Sequence, residues 1–71
     1  MEIIERITYM EALYDYARET GEISPELIVY YESGQWLKDY EADERGELPR
    51  NLKRGVLSQD GLWELLENAA H

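Results

Sequence analysis

The chain has 71 residues and no cysteine, so neither disulfides nor thiolate metal sites can stabilise it. A chain of this length buries only about 60% of the surface that its unfolded form exposes, which predicts one small domain over residues 1–71. The net charge is −9, from 16 acidic and seven basic side chains.

This charge excludes several classes of function. An acidic surface repels phosphate backbones and anionic lipids, so we expect neither direct nucleic-acid binding nor membrane binding. No apolar run reaches the roughly 18 residues of a transmembrane helix, and no signal-peptide pattern is present, which predicts a soluble cytoplasmic protein. Two explanations of the acidity stay open: it keeps a small protein soluble, or it faces a basic partner.

The first predicted element is an amphipathic helix over residues 2–20. Its apolar side chains recur at steps of three and four and therefore share one face. They are Ile3, Ile7, Met10, Leu13 or Tyr14, and Ala17. Gly21 is predicted to end the helix, because glycine readily adopts the left-handed conformation of a C-terminal cap.

A second helix is predicted to begin at Pro25, with Ser24 as its N-cap. It breaks or bends at Ser33 and Gly34. Residues 27–31 are rich in β-branched and aromatic side chains and would also suit a strand. The cap residues and the lack of a second strand candidate favour the helix.

A third helix is predicted over residues 34–45, capped by Ser33 and ended by Gly46. Trp36, Leu37 and Tyr40 form its apolar stripe. Leu48 and Pro49 then turn the chain, and residues 49–54 are expected to form a single helical turn.

The last predicted helix follows Ser58, a second N-cap. Gly61 in its first turn costs up to about 1 kcal/mol relative to alanine, so we expect a neighbouring backbone or ring to approach closely there. The prediction is an all-α bundle of three to four short helices, with a Gly and Leu-Pro turn before the last helix.

The carboxylates of the third helix are spaced only partly like those of a metal site. Asp39, Glu41 and Asp43 alternate as at the start of a calcium loop, but Glu44 and Arg50 stand where such a loop needs glycine and a bidentate glutamate. A weak magnesium or calcium site stays open as an alternative. We predict no metal, no cofactor and no catalytic residue.

Catalysis has no other support in the sequence. Paired carboxylates can act as general acid and base. However, the single histidine is the terminal His71, and the chain has neither a serine nucleophile elbow nor a glycine-rich phosphate loop. We therefore predict that the protein is not an enzyme.

A structural role explains the charges more fully. The acidic helix is separated from Lys53 and Arg54 by a chain reversal, so we expect one of these cations to pair with Asp39 or Asp43. Exposed pairs contribute only about 0.2–1 kcal/mol each, but partial burial would raise the cost of removing one partner.

From Tyr30 onward the chain resembles a family of small bacterial proteins known only as a domain of unknown function. The resemblance depends on the order W..DYEADE.G.LP..LKRGVLS.D over residues 36–60. It implies a helical bacterial protein and brings no activity, substrate or catalytic residue. Members of this family usually have a longer N-terminal helical arm than this chain.

The function expected from these features is non-enzymatic binding to another protein. The candidate binding surface comprises Trp36, Asp39, Tyr40, Glu41, Asp43, Glu44, Lys53 and Arg54. The alternative explanation of these residues is that they mainly build the fold. The alternative is an acidic inhibitor from a phage or mobile element that mimics nucleic acid and binds a basic protein. A homodimer is also open, since so small a core gains from a partner.

Overall fold

The computed structural model describes residues 2–69, and His71 lies outside them. It contains α1 (Ile3–Thr20), α2 (Pro25–Glu32), α3 (Gln35–Glu44) and α4 (Gln59–Ala69), with a short 3-10 helix at Gly55–Leu57. No strand occurs among the described residues, so the all-α prediction is confirmed and residues 27–31 are helical. No helix in this part of the chain is long and apolar enough to cross a bilayer.

Each helix contributes side chains to one core. α1 contacts α2, the 3-10 helix and α4, while α3 packs against α2 and the 3-10 helix. The core is formed by Ile7, Tyr14, Leu27, Tyr30, Trp36, Leu48, Val56, Leu57 and Leu62. Ile7, Tyr14 and Trp36 lie on the apolar stripes predicted for the first and third helices, because burial in a small bundle follows helical periodicity.

The helix ends confirm several predicted caps. Gly21 has a φ of 79° and donates its N–H to the carbonyl oxygen of Ala17 at 2.8 Å. The hydroxyl of Ser24 accepts the N–H of Glu26 at 3.3 Å. The hydroxyl of Ser58 similarly accepts a backbone N–H at the start of α4. These contacts satisfy donors and acceptors that a helix end leaves unpaired.

Two local predictions are only partly right. The residue at the N-cap position of α3 is Gly34, with a φ of 88°, although the Ser33 hydroxyl does accept the N–H of Gln35 at 3.4 Å. Residues 49–52 form a hydrogen-bonded turn, in which the Leu52 N–H donates to the carbonyl oxygen of Pro49 at 3.2 Å, but no helix forms over 49–54 and a 3-10 helix follows at Gly55–Leu57. The reason for the shift is tertiary, because distant side chains bind the backbone of that 3-10 helix.

The buried face of α1 also differs from the prediction at one position. Ile7, Tyr14 and Ala17 are buried as expected, and Tyr14 rather than Leu13 enters the core. Between them lies Glu11, a charged residue that is only 8% exposed.

Candidate functional site

Asp39, at the centre of the acidic helix, is an interior residue. It is 1% exposed, and its carboxylate accepts two hydrogen bonds from Arg6, from Nε at 2.9 Å and from Nη2 at 2.7 Å. The hydroxyl of Tyr30 donates at 2.7 Å and the side-chain amide of Gln35 at 3.2 Å. Both oxygens of this carboxylate are therefore paired, which a buried charge requires.

The charge of Asp39 is stabilised by these neighbours. Burial alone would raise the pKa of the Asp39 carboxyl, but the hydrogen bonds from Arg6, Tyr30 and Gln35 and the positive charge of Arg6 outweigh it and hold that pKa below its usual value. Burial, then the hydrogen bond to Asp39, raises the pKa of the Tyr30 phenol. Asp39 therefore carries a fixed negative charge that locks α1, α2 and α3 together.

Arg54 pairs with Asp43, as one of the predicted combinations. Its Nη1 donates to Asp43 Oδ1, while its other nitrogens donate to the carbonyl oxygens of Pro49 and Leu52. The guanidinium thus fixes the loop before the 3-10 helix as well as the end of α3. The other predicted pairings are absent from residues 2–69, where Arg6 binds Asp39 and Lys53 forms no ion pair.

Trp36 is also part of the interior. Its ring is 5% exposed, and its indole N–H donates to the carbonyl oxygen of Val56 at 2.8 Å. The ring stacks on Tyr40 at a centroid distance of 5.1 Å and an interplanar angle of 21°, and it contacts Tyr31 at 5.4 Å. Trp36 therefore joins α3 to the 3-10 helix, and Tyr40 covers it towards solvent.

Glu11, like Arg6, has a structural role that the sequence patterns did not reveal. Its Oε2 accepts the N–H of Val56 at 2.9 Å, across 45 residues. Val56 is thereby held at both backbone groups, by Glu11 and by Trp36. Gly55 leaves room for the carboxylate, because a Cβ there would lie 2.7 Å from Glu11 Oε1. The available signal was a glutamate on the apolar face of α1, between Ile7 and Tyr14.

The candidate residues that do reach solvent lie on two different sides. Tyr40 is half-buried and Glu41 and Glu44 are exposed along α3, whereas Lys53 is exposed on the loop and lines a cleft beside α1. A hydrogen bond to Glu44, and then its charge, raise the pKa of the Tyr40 phenol; Asp60, at the start of α4, contributes further. The negative charges that act on the Tyr40 hydroxyl therefore come from both α3 and the first turn of α4.

We define the α3 outer face as Leu37, Tyr40, Glu41 and Glu44, which share one side of the helix at spacings of three and four residues. Leu37 is 51% exposed, although it is a large apolar side chain. None of the three ion pairs in residues 2–69 involves Glu41 or Glu44. Within the same part of the chain, no three His, Cys, Asp or Glu side chains are placed to hold a metal ion.

A family model described as a domain of unknown function (DUF4298) matches residues 1–71. The match includes α1, so the family likeness extends upstream of Tyr30, where the motifs seen in the sequence begin. Comparison with curated proteins gives no match, and comparison with solved structures gives none either.

Proposed function

The chain belongs to the DUF4298 family, whose description names no activity, and we propose from its surface that it is a non-enzymatic protein-binding module. The α3 outer face is the binding surface of this proposal. The observation that carries it is an exposed leucine on the same side of the helix as two exposed carboxylates that take part in none of the ion pairs of residues 2–69.

Rigidity supports this choice of surface. Tyr40 stacks on Trp36, which is itself fixed by its hydrogen bond to Val56, and Asp39 on the opposite side of α3 is held by Arg6. A helix anchored on its buried side loses little conformational entropy when its exposed side is covered by a partner, and this lowers the cost of binding.

The chemistry of the face suggests the kind of partner. Leu37 and the ring of Tyr40 offer apolar area, and tyrosine is enriched at protein interfaces. Glu41 and Glu44 add negative charge at the edge of that area. A partner with an apolar spot flanked by lysine or arginine would be complementary to this arrangement.

The second candidate function is inhibition of a nucleic-acid-binding protein by charge mimicry. The net charge of −9 favours it, since such a surface attracts a groove that normally holds phosphates. This candidate predicts binding that depends on many exposed carboxylates and weakens steeply as salt is added. The first candidate predicts binding that depends on Leu37 and survives moderate salt.

Affinity capture from the native host separates the two candidates. The tagged protein is used as bait, and captured proteins are released with increasing salt. A partner retained through high salt and lost with Leu37→Ser supports the α3 outer face. A basic nucleic-acid enzyme released at low salt, and unaffected by Leu37→Ser, would support mimicry. Capture of nothing above a tag-only control would contradict both.

A further inference from the structure

A cleft of about 430 Å³ lies between α1 and the loop that precedes the 3-10 helix, and none of its lining residues belongs to the α3 outer face. The side chains of Ile4, Ala12 and Leu52 give it apolar walls. Glu11 and Asp15 are the two carboxylates that line it, one turn apart on α1, and Lys53 lies on the loop side.

Glu11 differs from the other buried carboxylate of the described residues in how it is paired. Asp39 accepts four hydrogen bonds from three side chains, and one of these is a guanidinium. Glu11 is 8% exposed, yet only the N–H of Val56 binds it, at Oε2. Among residues 2–69 no cation pairs with Glu11, and Oε1 has no hydrogen-bond donor.

We infer that this cleft binds an alkylammonium group, supplied by a lysine side chain of a partner protein. The ammonium lies at Glu11 Oε1, near Asp15, and the aliphatic stem runs along the apolar walls. No fully enclosed side-chain oxygen of residues 2–69 lacks a hydrogen-bond partner, so Glu11 Oε1, which has none, is open to an incoming cation. A largely buried carboxylate whose partner is a single backbone N–H is stabilised by a charge-assisted hydrogen bond from such a cation. The inference extends the proposed protein-binding function. Only the assignment of the ammonium to a protein lysine rests on that function; binding of an alkylammonium group does not.

The geometry favours ammonium over guanidinium. Arginine binds carboxylates best through two parallel hydrogen bonds to both oxygens, whereas lysine acts as a compact point charge. At Glu11 the N–H of Val56 already occupies Oε2, which leaves one oxygen for an incoming cation. Lys53 on the loop wall also disfavours a second positive charge, so a single ammonium fits better than a free diamine.

The test is an NMR titration of the full chain with n-butylammonium, which reproduces the lysine side chain. We expect saturable shifts of the backbone amides of Gly55 and Val56. In Glu11→Gln the amide oxygen still accepts the Val56 N–H while the charge is lost, and binding weakens about tenfold or more, as expected for loss of a charge-assisted hydrogen bond. Glu22→Gln, which makes the same charge change at an exposed position, leaves binding unchanged.

Three further ligands keep the test decisive even if Glu11→Gln does not fold. We expect 1-butanol, the neutral analogue, and n-propylguanidinium to bind more weakly than n-butylammonium. Nα-acetyl-lysine amide is expected to bind at least as tightly as 1,5-diaminopentane. A tighter diamine would overturn the assignment to a lysine of a protein.

The inference as a whole is overturned if n-butylammonium gives no saturable shift, or if 1-butanol or the Glu11→Gln protein reproduces its effect. Because the probe is a small amine, this outcome is independent of the α3 outer face. Loss of partner capture with Leu37→Ser would still support the proposed function after a failed titration, and a successful titration would stand without any captured partner.

Discussion

Arg6 donates two hydrogen bonds to the buried carboxylate of Asp39, 33 residues later in the chain, and so ties the first turn of α1 to the middle of α3. The hydroxyl of Tyr30 adds α2 to the same carboxylate. Three helices thus converge on one negative charge. A residue that looked from its neighbours like one of several surface carboxylates is a central part of the interior.

Replacing this charge is predicted to destabilise the fold strongly. Asp39→Asn leaves Arg6 without its counter-charge, and removal of one partner of a buried ion pair costs about 3–5 kcal/mol. Because the Arg6 side chain is 21% exposed and water can partly solvate it, we expect a loss near the lower end of that range.

Urea unfolding followed by circular dichroism measures this loss. Glu41→Gln, on the exposed side of the same helix, is the matched control and should change the free energy of unfolding by less than about 0.5 kcal/mol. Equal stability of the two variants would show that the Arg6 and Asp39 pair does not hold the helices together.

We predict that the free energy of unfolding falls at acid pH, in part because Asp39 becomes protonated. The pKa of this carboxyl is below its usual value in the folded chain, whereas the unfolded chain has a value of about 3.9. The unfolded state therefore binds more protons, and the stabilisation is complete above the unfolded pKa and is lost as pH falls through the folded pKa.

The difference in free energy of unfolding between the wild type and Asp39→Asn isolates this contribution. We expect the difference to be constant from about pH 7 to pH 5 and to shrink at lower pH, as both chains then carry a neutral side chain at this position. A difference that stays constant down to pH 2 would mean that the Asp39 pKa is not lowered.

We predict that position 61 must be glycine because the Tyr14 hydroxyl lies against it. A Cβ at position 61 would lie 2.5 Å from the Tyr14 hydroxyl oxygen and 3.2 Å from Ser58 Oγ. Gly61→Ala should therefore destabilise by about 1–3 kcal/mol through overpacking, although alanine is favoured over glycine in a helix by about 1 kcal/mol.

A double-mutant cycle of thermal or urea unfolding tests this contact. Tyr14→Phe removes the oxygen that meets the new methyl group, so Gly61→Ala should be much less harmful in that background. Additive effects of the two substitutions would indicate that the strain lies elsewhere.

Charge reversal at Arg54 is predicted to loosen the loop before the 3-10 helix. Arg54→Glu removes the pair with Asp43 and the hydrogen bonds to the carbonyl oxygens of Pro49 and Leu52, and it places like charges together. Since the Arg54 side chain is 35% exposed, we expect a loss of only about 1–2 kcal/mol.

Lys53→Glu makes the same charge change at the neighbouring residue, which forms no ion pair among residues 2–69. This control should be distinctly more stable than Arg54→Glu in urea unfolding. If Arg54→Glu kept full stability but lost a partner, the pair with Asp43 would not be structural and Arg54 would belong to an interface.

The sequence predicted interactions between residues that are close in the chain, and it did not predict interactions between residues that are far apart in the chain. Gly21 and Ser24 were identified because a cap is satisfied by groups a few residues away. Arg6 with Asp39 and Glu11 with Val56 join residues 33 and 45 positions apart, and no local pattern specifies such partners. The 3-10 helix at Gly55–Leu57 was not predicted for the same reason.

The candidate surface contains both buried residues and exposed residues. Trp36 and Asp39 were identified as important from a compact signature, but that signature could not separate residues that build the interior from residues that reach solvent. The structure distinguishes the two groups, since Trp36 and Asp39 are buried whereas Glu41 and Glu44 are exposed. The acidic block therefore has a structural side and a side available to a partner.

The most direct measurement of this division is partner retention by the double variant Glu41→Gln/Glu44→Gln, compared with Glu19→Gln/Glu22→Gln, which has the same net charge. We predict that the first variant keeps wild-type stability and loses the captured partner, whereas the second retains it. Equal retention by both variants would contradict the assignment of binding to the α3 outer face.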